Sequence, residues 1–71
     1  MQIGDELYVV VRQAPERGFE NLIMHDREGP IMEQDIENVK TRFERLERMD
    51  SDFPAEKRRM LEIKRIKLLS I

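Results

Sequence analysis

Residues 6–12, Glu-Leu-Tyr-Val-Val-Val-Arg, gather three valines and a tyrosine, side chains that suit a pleated backbone better than a helix. The pattern predicts a strand with Leu7, Val9 and Val11 on one face and Tyr8 and Val10 on the other. Ala14-Pro15-Glu16-Arg17-Gly18 follows as a turn, because proline presets φ and glycine tolerates positive φ at the exit. Phe19 to His25 resumes an extended pattern, with Leu22 and Met24 opposed to Phe19 and Ile23, so the first two strands should form a β-hairpin. Asp26-Arg27-Glu28-Gly29 signals a second turn, and Pro30-Ile31-Met32 reads as a brief extended segment.

The pattern then changes period. Met32, Ile36, Val39, Phe43, Leu46 and Met49 recur at steps of four and three, which places them on one helical face. Glu37, Lys40, Glu44, Arg45, Glu47 and Arg48 take the opposite face. Asp35 is the expected N-cap, and Pro54 prevents continuation, so the spacing predicts a helix over about 35–50.

Residues 53–71 admit two readings. As a helix, Met60, Leu61, Ile63, Ile66, Leu68 and Leu69 would surround the axis and require burial on every side. As a strand, Leu61 and Ile63 share one face and Ile66 and Leu68 the other, with a bulge or strong twist near Arg65. The pattern favours one helical turn at about 54–58 and a strand over about 60–70. A second helix that seals the sheet within one chain is the alternative.

The expected fold is therefore a single α+β domain over residues 1–71: a small antiparallel sheet, made of the N-terminal β-hairpin plus the C-terminal strand, packed on one amphipathic helix. One helix covers one face of a sheet. Tyr8 and Val10, or their alternates, with Ile23, Ile66, Leu68, Leu69 and Ile71 are left as an apolar surface, and a homodimer is the expected way to cover it.

Composition narrows the function classes. Apolar and charged residues each make up 39% of the 71 residues, too apolar for a disordered chain and lean for a compact one. There is no cysteine for a disulfide framework or a thiolate zinc site. The apolar run Leu7–Val11 is far short of a membrane span, and Met1–Glu6 lacks the features of a secretory leader, so a cytoplasmic protein without a membrane partner is expected. Charge is divided along the chain. Residues 1–52 hold seven Lys/Arg against thirteen Asp/Glu, whereas residues 53–71 hold six against two.

Candidate chemistry is sparse. His25 has Asp5, Glu20, Asp26 and Glu28 as possible neighbours, but no spacing obliges them to converge, so it reads as a surface residue and no metal site is expected. Ser51 and Ser70 lack the setting of a nucleophile, the pair Asp50 and Asp52 reads as helix-end solvation, and Gly4, Gly18 and Gly29 are too scattered to cradle a phosphate. No cofactor and no catalysis are expected. Lys57, Arg58, Arg59, Lys64, Arg65 and Lys67 form the strongest basic feature; they read either as nucleic-acid contacts or, more simply, as charges that guard an edge strand. Phe53 is read as anchoring its turn to the core, and Met24, Met32, Met49 and Met60 as filling core positions.

The leading expectation is a non-enzymatic interaction protein, a modulator or inhibitor that binds another macromolecule. Its partner surfaces would be the helix face of Glu37, Glu44 and Glu47 and the basic end. A small nucleic-acid-binding regulator is the alternative, and sequestration of a small molecule at a dimer interface a third class. Length and cysteine-free composition match the profile of small accessory proteins of bacteria and their phages.

Overall fold

The computed structural model describes residues 2–68. Leu69, Ser70 and Ile71, and with them the expected end of the last strand, lie outside the described residues, as do the side chains of Arg17, Phe19 and Glu20.

The first strand, β1, runs over Glu6–Ala14 and is the centre of the sheet. A single 3₁₀ turn at Pro15–Arg17 reverses the chain, and Gly18, at φ 78°, makes the exit that a Cβ would strain. The second strand, β2 (Phe19–Ile23), returns antiparallel to β1, with one bulge between Gln13 and Ala14. The N-terminal hairpin thus forms as the alternating pattern predicts.

The chain then leaves the sheet for a short excursion, β3 (His25–Asp26) and β4 (Gly29–Pro30), paired with each other and turning at residues 27–28. Ile31 N donates to Met24 O at 2.9 Å across the base of this excursion. The following β5 (Met32–Glu33) rejoins β1 on the side that β2 occupies. Val10 connects the two pieces: its N donates to Ile31 O at 3.0 Å, and its O accepts from Met24 N at 2.9 Å.

Helix α1 (Ile36–Asp50) begins at Asp35, whose carboxylate accepts from Glu37 N at 3.0 Å, as expected of an N-cap. After a second 3₁₀ turn at Ala55–Lys57, strand β6 (Leu61–Lys67) pairs antiparallel with β1 on its other side, from Glu6↔Lys67 to Arg12↔Leu61. The register is unbroken. Ile66 reaches the face opposite Leu61 and Ile63 by strand alternation alone, without the bulge expected near Arg65.

The helix covers one face of the sheet. Val10, Ile31, Val39 and Leu46 are buried at its centre, with Tyr8, Met24, Phe43, Leu61 and Ile63 packed around them. Tyr8 and Val10 therefore lie beneath the helix, not on an open surface. Alternation places Leu7, Val9 and Val11 on the other face, and all three are nonetheless buried. The ladder sets Val9 between Met32 and Lys64 and Val11 between Ile23 and Glu62, with Ile66 beside Leu7. Ile23 and Ile66 remain exposed there and Leu68 is half-buried. The uncovered apolar face is therefore smaller than the sequence suggests, since the central strand is buried on both of its faces.

Candidate interaction surfaces

Two carboxylate–arginine pairs determine what the surface looks like. The first joins the β3–β4 excursion to α1. Arg42 lies on the helix flank and is buried at 3% exposure. Its Nε donates to Asp26 Oδ2 at 2.9 Å and its Nη2 to Asp26 Oδ1 at 2.8 Å, a two-point grip. Nη1 donates to Glu33 Oε1 at 2.9 Å, and Nη2 also reaches the carbonyls of Gly29 and Pro30. Asp26 also accepts from Glu28 N at 2.7 Å, which closes its turn, and from Arg45 Nη1 at 3.1 Å. The guanidinium of Arg42 holds the Asp26 carboxyl far below the usual carboxylate range, against the opposing effect of burial. Arg42 is pushed upward by the same contact.

The second pair joins the end of α1 to the start of β6. Asp50 is the last helical residue, where a negative charge opposes the helix dipole. Arg59 compensates. Its Nε donates to Asp50 Oδ2 at 2.9 Å, its Nη2 to Oδ1 at 2.7 Å, and its backbone N to Oδ2 at 3.3 Å. These bonds lower the Asp50 pKa against its burial, and the contact raises that of Arg59. The loop between them is held by Arg58, which donates to the carbonyls of Phe53 at 2.9 Å and Ser51 at 3.1 Å.

Around this second junction the structure departs most from the pattern. Met49, Phe53 and Met60, all expected at core or anchoring positions, are 60%, 52% and 69% exposed. Asp50 turns inward in place of Met49, because Arg59 receives it there. Met49 and Phe53 line one open hollow of about 770 Å³ with Asp50, Asp52, Lys57 and Arg59. A second hollow of about 530 Å³ adjoins it through Met49 and Arg59 and extends to Leu46, His25, Asp26, Arg27 and Arg45. Asp26 and Asp50 are already neutralised by arginines. Among the described residues Arg27, Lys57 and Arg58 have no carboxylate partner, and Asp52 has no cationic one.

The other sequence candidates are dispersed. Glu37, Glu44 and Glu47 lie exposed along α1, with Glu37 3.8 Å from Lys40. Of the six basic candidates, Arg59 is committed to Asp50, Arg58 to loop carbonyls and Lys64 to Glu62 at 3.5 Å, while Arg65 stands 3.7 Å from Glu6. Alternation sends Lys64 to one face of the sheet and Arg65 and Lys67 to the other, so the six do not form one basic track. Among the described residues no three of His, Asp and Glu gather as metal ligands, and no helix is long and apolar enough to cross a membrane.

Arg42 was missed by reading the sequence, since nothing in a basic helix-flank residue announces burial. A signal for Phe53 existed in its position between Asp52 and Pro54, remote from any apolar stripe. No family model matches the chain, and no curated protein or solved structure matches it, so its surfaces are read from their own chemistry.

Proposed function

We propose that the chain is a non-enzymatic binding protein that engages another protein through the end of the molecule built on Met49 and Phe53. One observation carries this reading: two large apolar side chains, each more than half exposed, share one hollow beside an arginine that is fixed in place. Exposed apolar groups gathered in a hollow are the usual mark of a contact surface, and methionine adapts its shape to a partner. The cations Arg27, Lys57 and Arg58 around them suit a partner segment that offers an apolar side chain flanked by carboxylates.

Affinity capture with the full chain tests this reading. Proteins retained by the native chain should be lost with Met49→Ser and Phe53→Ser, while Glu37→Lys on the far part of the helix retains them. Both serine variants should keep native stability within about 0.5 kcal/mol, since they alter exposed positions. Retention unchanged by either serine variant would defeat the proposal. So would salt-sensitive retardation of a generic DNA or RNA duplex at micromolar protein, which would favour phosphate recognition instead.

A further inference from the structure

The geometry points to self-association at a different place: two copies pair edge to edge through β6, with a two-fold axis at Ile63, and form one continuous sheet. Among the described residues β6 pairs only with β1, so its outer edge is open over Leu61–Lys67. The ladder fixes which groups that edge offers. Leu68 N donates to Asp5 O at 2.8 Å and Gln13 N to Met60 O at 3.4 Å. Bonding alternates along an antiparallel ladder, so Met60, Glu62, Lys64, Ile66 and Leu68 direct their backbone groups toward β1. Leu61, Ile63, Arg65 and Lys67 direct theirs outward.

A second β6 must match outward residues with outward residues, which puts the two-fold axis on a single residue. An axis at Glu62, Lys64 or Arg65 sets a charge directly against its own copy, which opposes pairing. An axis at Ile63 does not. It sets Glu62 opposite Lys64 of the second copy, Met60 opposite Ile66, Leu61 opposite Arg65 and Ile63 opposite itself. Both Glu62–Lys64 crossings are attractive, and the Met60–Ile66 crossings cover two side chains that one chain leaves exposed. Ile63 already packs against the buried cluster under the helix, so the apolar interior continues across the seam.

Lysine and arginine on an open edge ordinarily repel another strand. Here the same charges reject the registers centred on Glu62, Lys64 and Arg65, and the axis at Ile63 leaves both Glu62–Lys64 crossings matched. Arg65 stands near Glu6 of its own chain, and Arg59 beyond the seam is neutralised by Asp50.

Sedimentation of the full chain over micromolar to submillimolar concentrations is the first test. The expected species is a dimer of the 8.6 kDa chain. Glu62→Lys alone and Lys64→Glu alone should each weaken it about tenfold or more. The double exchange should restore it, and an equimolar mixture of the two single variants should form mixed dimers, while circular dichroism shows each variant folded. Register is tested with single cysteines in this cysteine-free chain. Ile63→Cys should cross-link to itself under mild oxidation, because a hydrogen-bonded pair stands about 5.5 Å apart at Cα, within disulfide reach. Lys64→Cys and Arg65→Cys should not.

A monomer at all concentrations, a dimer indifferent to the charge exchanges, or cross-linking at residue 64 or 65 in place of 63 would overturn the inference. Phe53→Ser should leave the dimer intact, which separates this surface from the one that engages a partner protein.

Discussion

The middle of α1 and its C-terminal end are each tied to the strands and loops beside them by the same chemistry in different surroundings. At the Arg42 side, Asp26 and Arg42 are both nearly sealed from water, with side-chain exposures of 4% and 3%. At the C-terminal side, Asp50 is nearly as buried at 9%, but Arg59 keeps 27% of its side chain in solvent. Burial strengthens an ion pair only while every partner is present, because a charge left alone in a dry site has nothing to replace its lost water. The first pair is thus a fold-determining contact, whose removal should propagate through β3, β4 and β5. The second shapes a surface, since its loop carries Met49 and Phe53 outward while Arg59 stays anchored. One carboxylate–guanidinium pair can therefore serve architecture or presentation, and the solvent around its arginine decides which.

Breaking the buried pair should give the largest effect. Asp26→Asn leaves Arg42 with Glu33, the more distant Glu28 at 3.7 Å and two carbonyls but without its two-point acceptor, and a cost of about 3–5 kcal/mol is expected. A chain of this length is held by only about 4–10 kcal/mol, so the variant should be largely or partly unfolded near room temperature in urea titrations. Replacing both members with apolar side chains of similar size, Asp26→Leu with Arg42→Met, should cost less than the single change, since no charge is then stranded. If Asp26→Asn shifts the urea midpoint no more than a surface substitution does, the distinction between the two junctions is lost.

The buried pair also marks the limit of what the sequence revealed. The hairpin, the Asp35 cap and the helix were legible because each rests on neighbours within a few residues: alternation, a turn proline, a four-and-three spacing. The strand at Leu61–Lys67 was legible because its apolar residues fit no helical face. Arg42 was not, since its acceptors lie 16 and 9 residues earlier, in the excursion and in β5, whose docking against the helix no local pattern encodes. Met49 failed for a related reason. It continues the apolar spacing faithfully, but Arg59 draws Asp50 inward and the last turn presents Met49 to water. Whether the helix covers the face of Tyr8 and Val10 or that of Leu7, Val9 and Val11 was not legible, because alternation gives two faces and does not say which one a helix will cover.

Acid should probe the same contrast without mutation. The folded-state pKa values of Asp26 and Asp50 are both depressed below the ordinary aspartate value of about 3.9. A depressed carboxylate adds stability that is complete above the unfolded-state value and is lost as pH falls through it toward the folded one. Stability of the native chain should hold from neutrality to about pH 5 and decline steadily below about pH 4. Asp26→Asn, studied by the residual fraction that folds, should show a shallower decline than the native chain, and Asp50→Asn an intermediate one. Equal slopes for all three proteins would mean that neither pair contributes to acid sensitivity.

The smallest effect should come from Asp50→Asn. The change removes a charge-assisted contact with Arg59, a loss of about 1.5–3 kcal/mol in a buried setting. Two things reduce it here. Arg59 regains water through its exposed side, and the carboxylate no longer opposes the helix dipole, a relief of about 0.3–1 kcal/mol. A net cost of about 1–2 kcal/mol follows, measurable as a shift in the urea midpoint with an unchanged slope. The consequence for the surface should exceed the consequence for stability. Freed from Asp50, Arg59 ceases to separate the two hollows, so Asp50→Asn should weaken partner capture in a protein that remains folded. A variant that loses stability on the scale of Asp26→Asn would show that this end, too, is part of the frame.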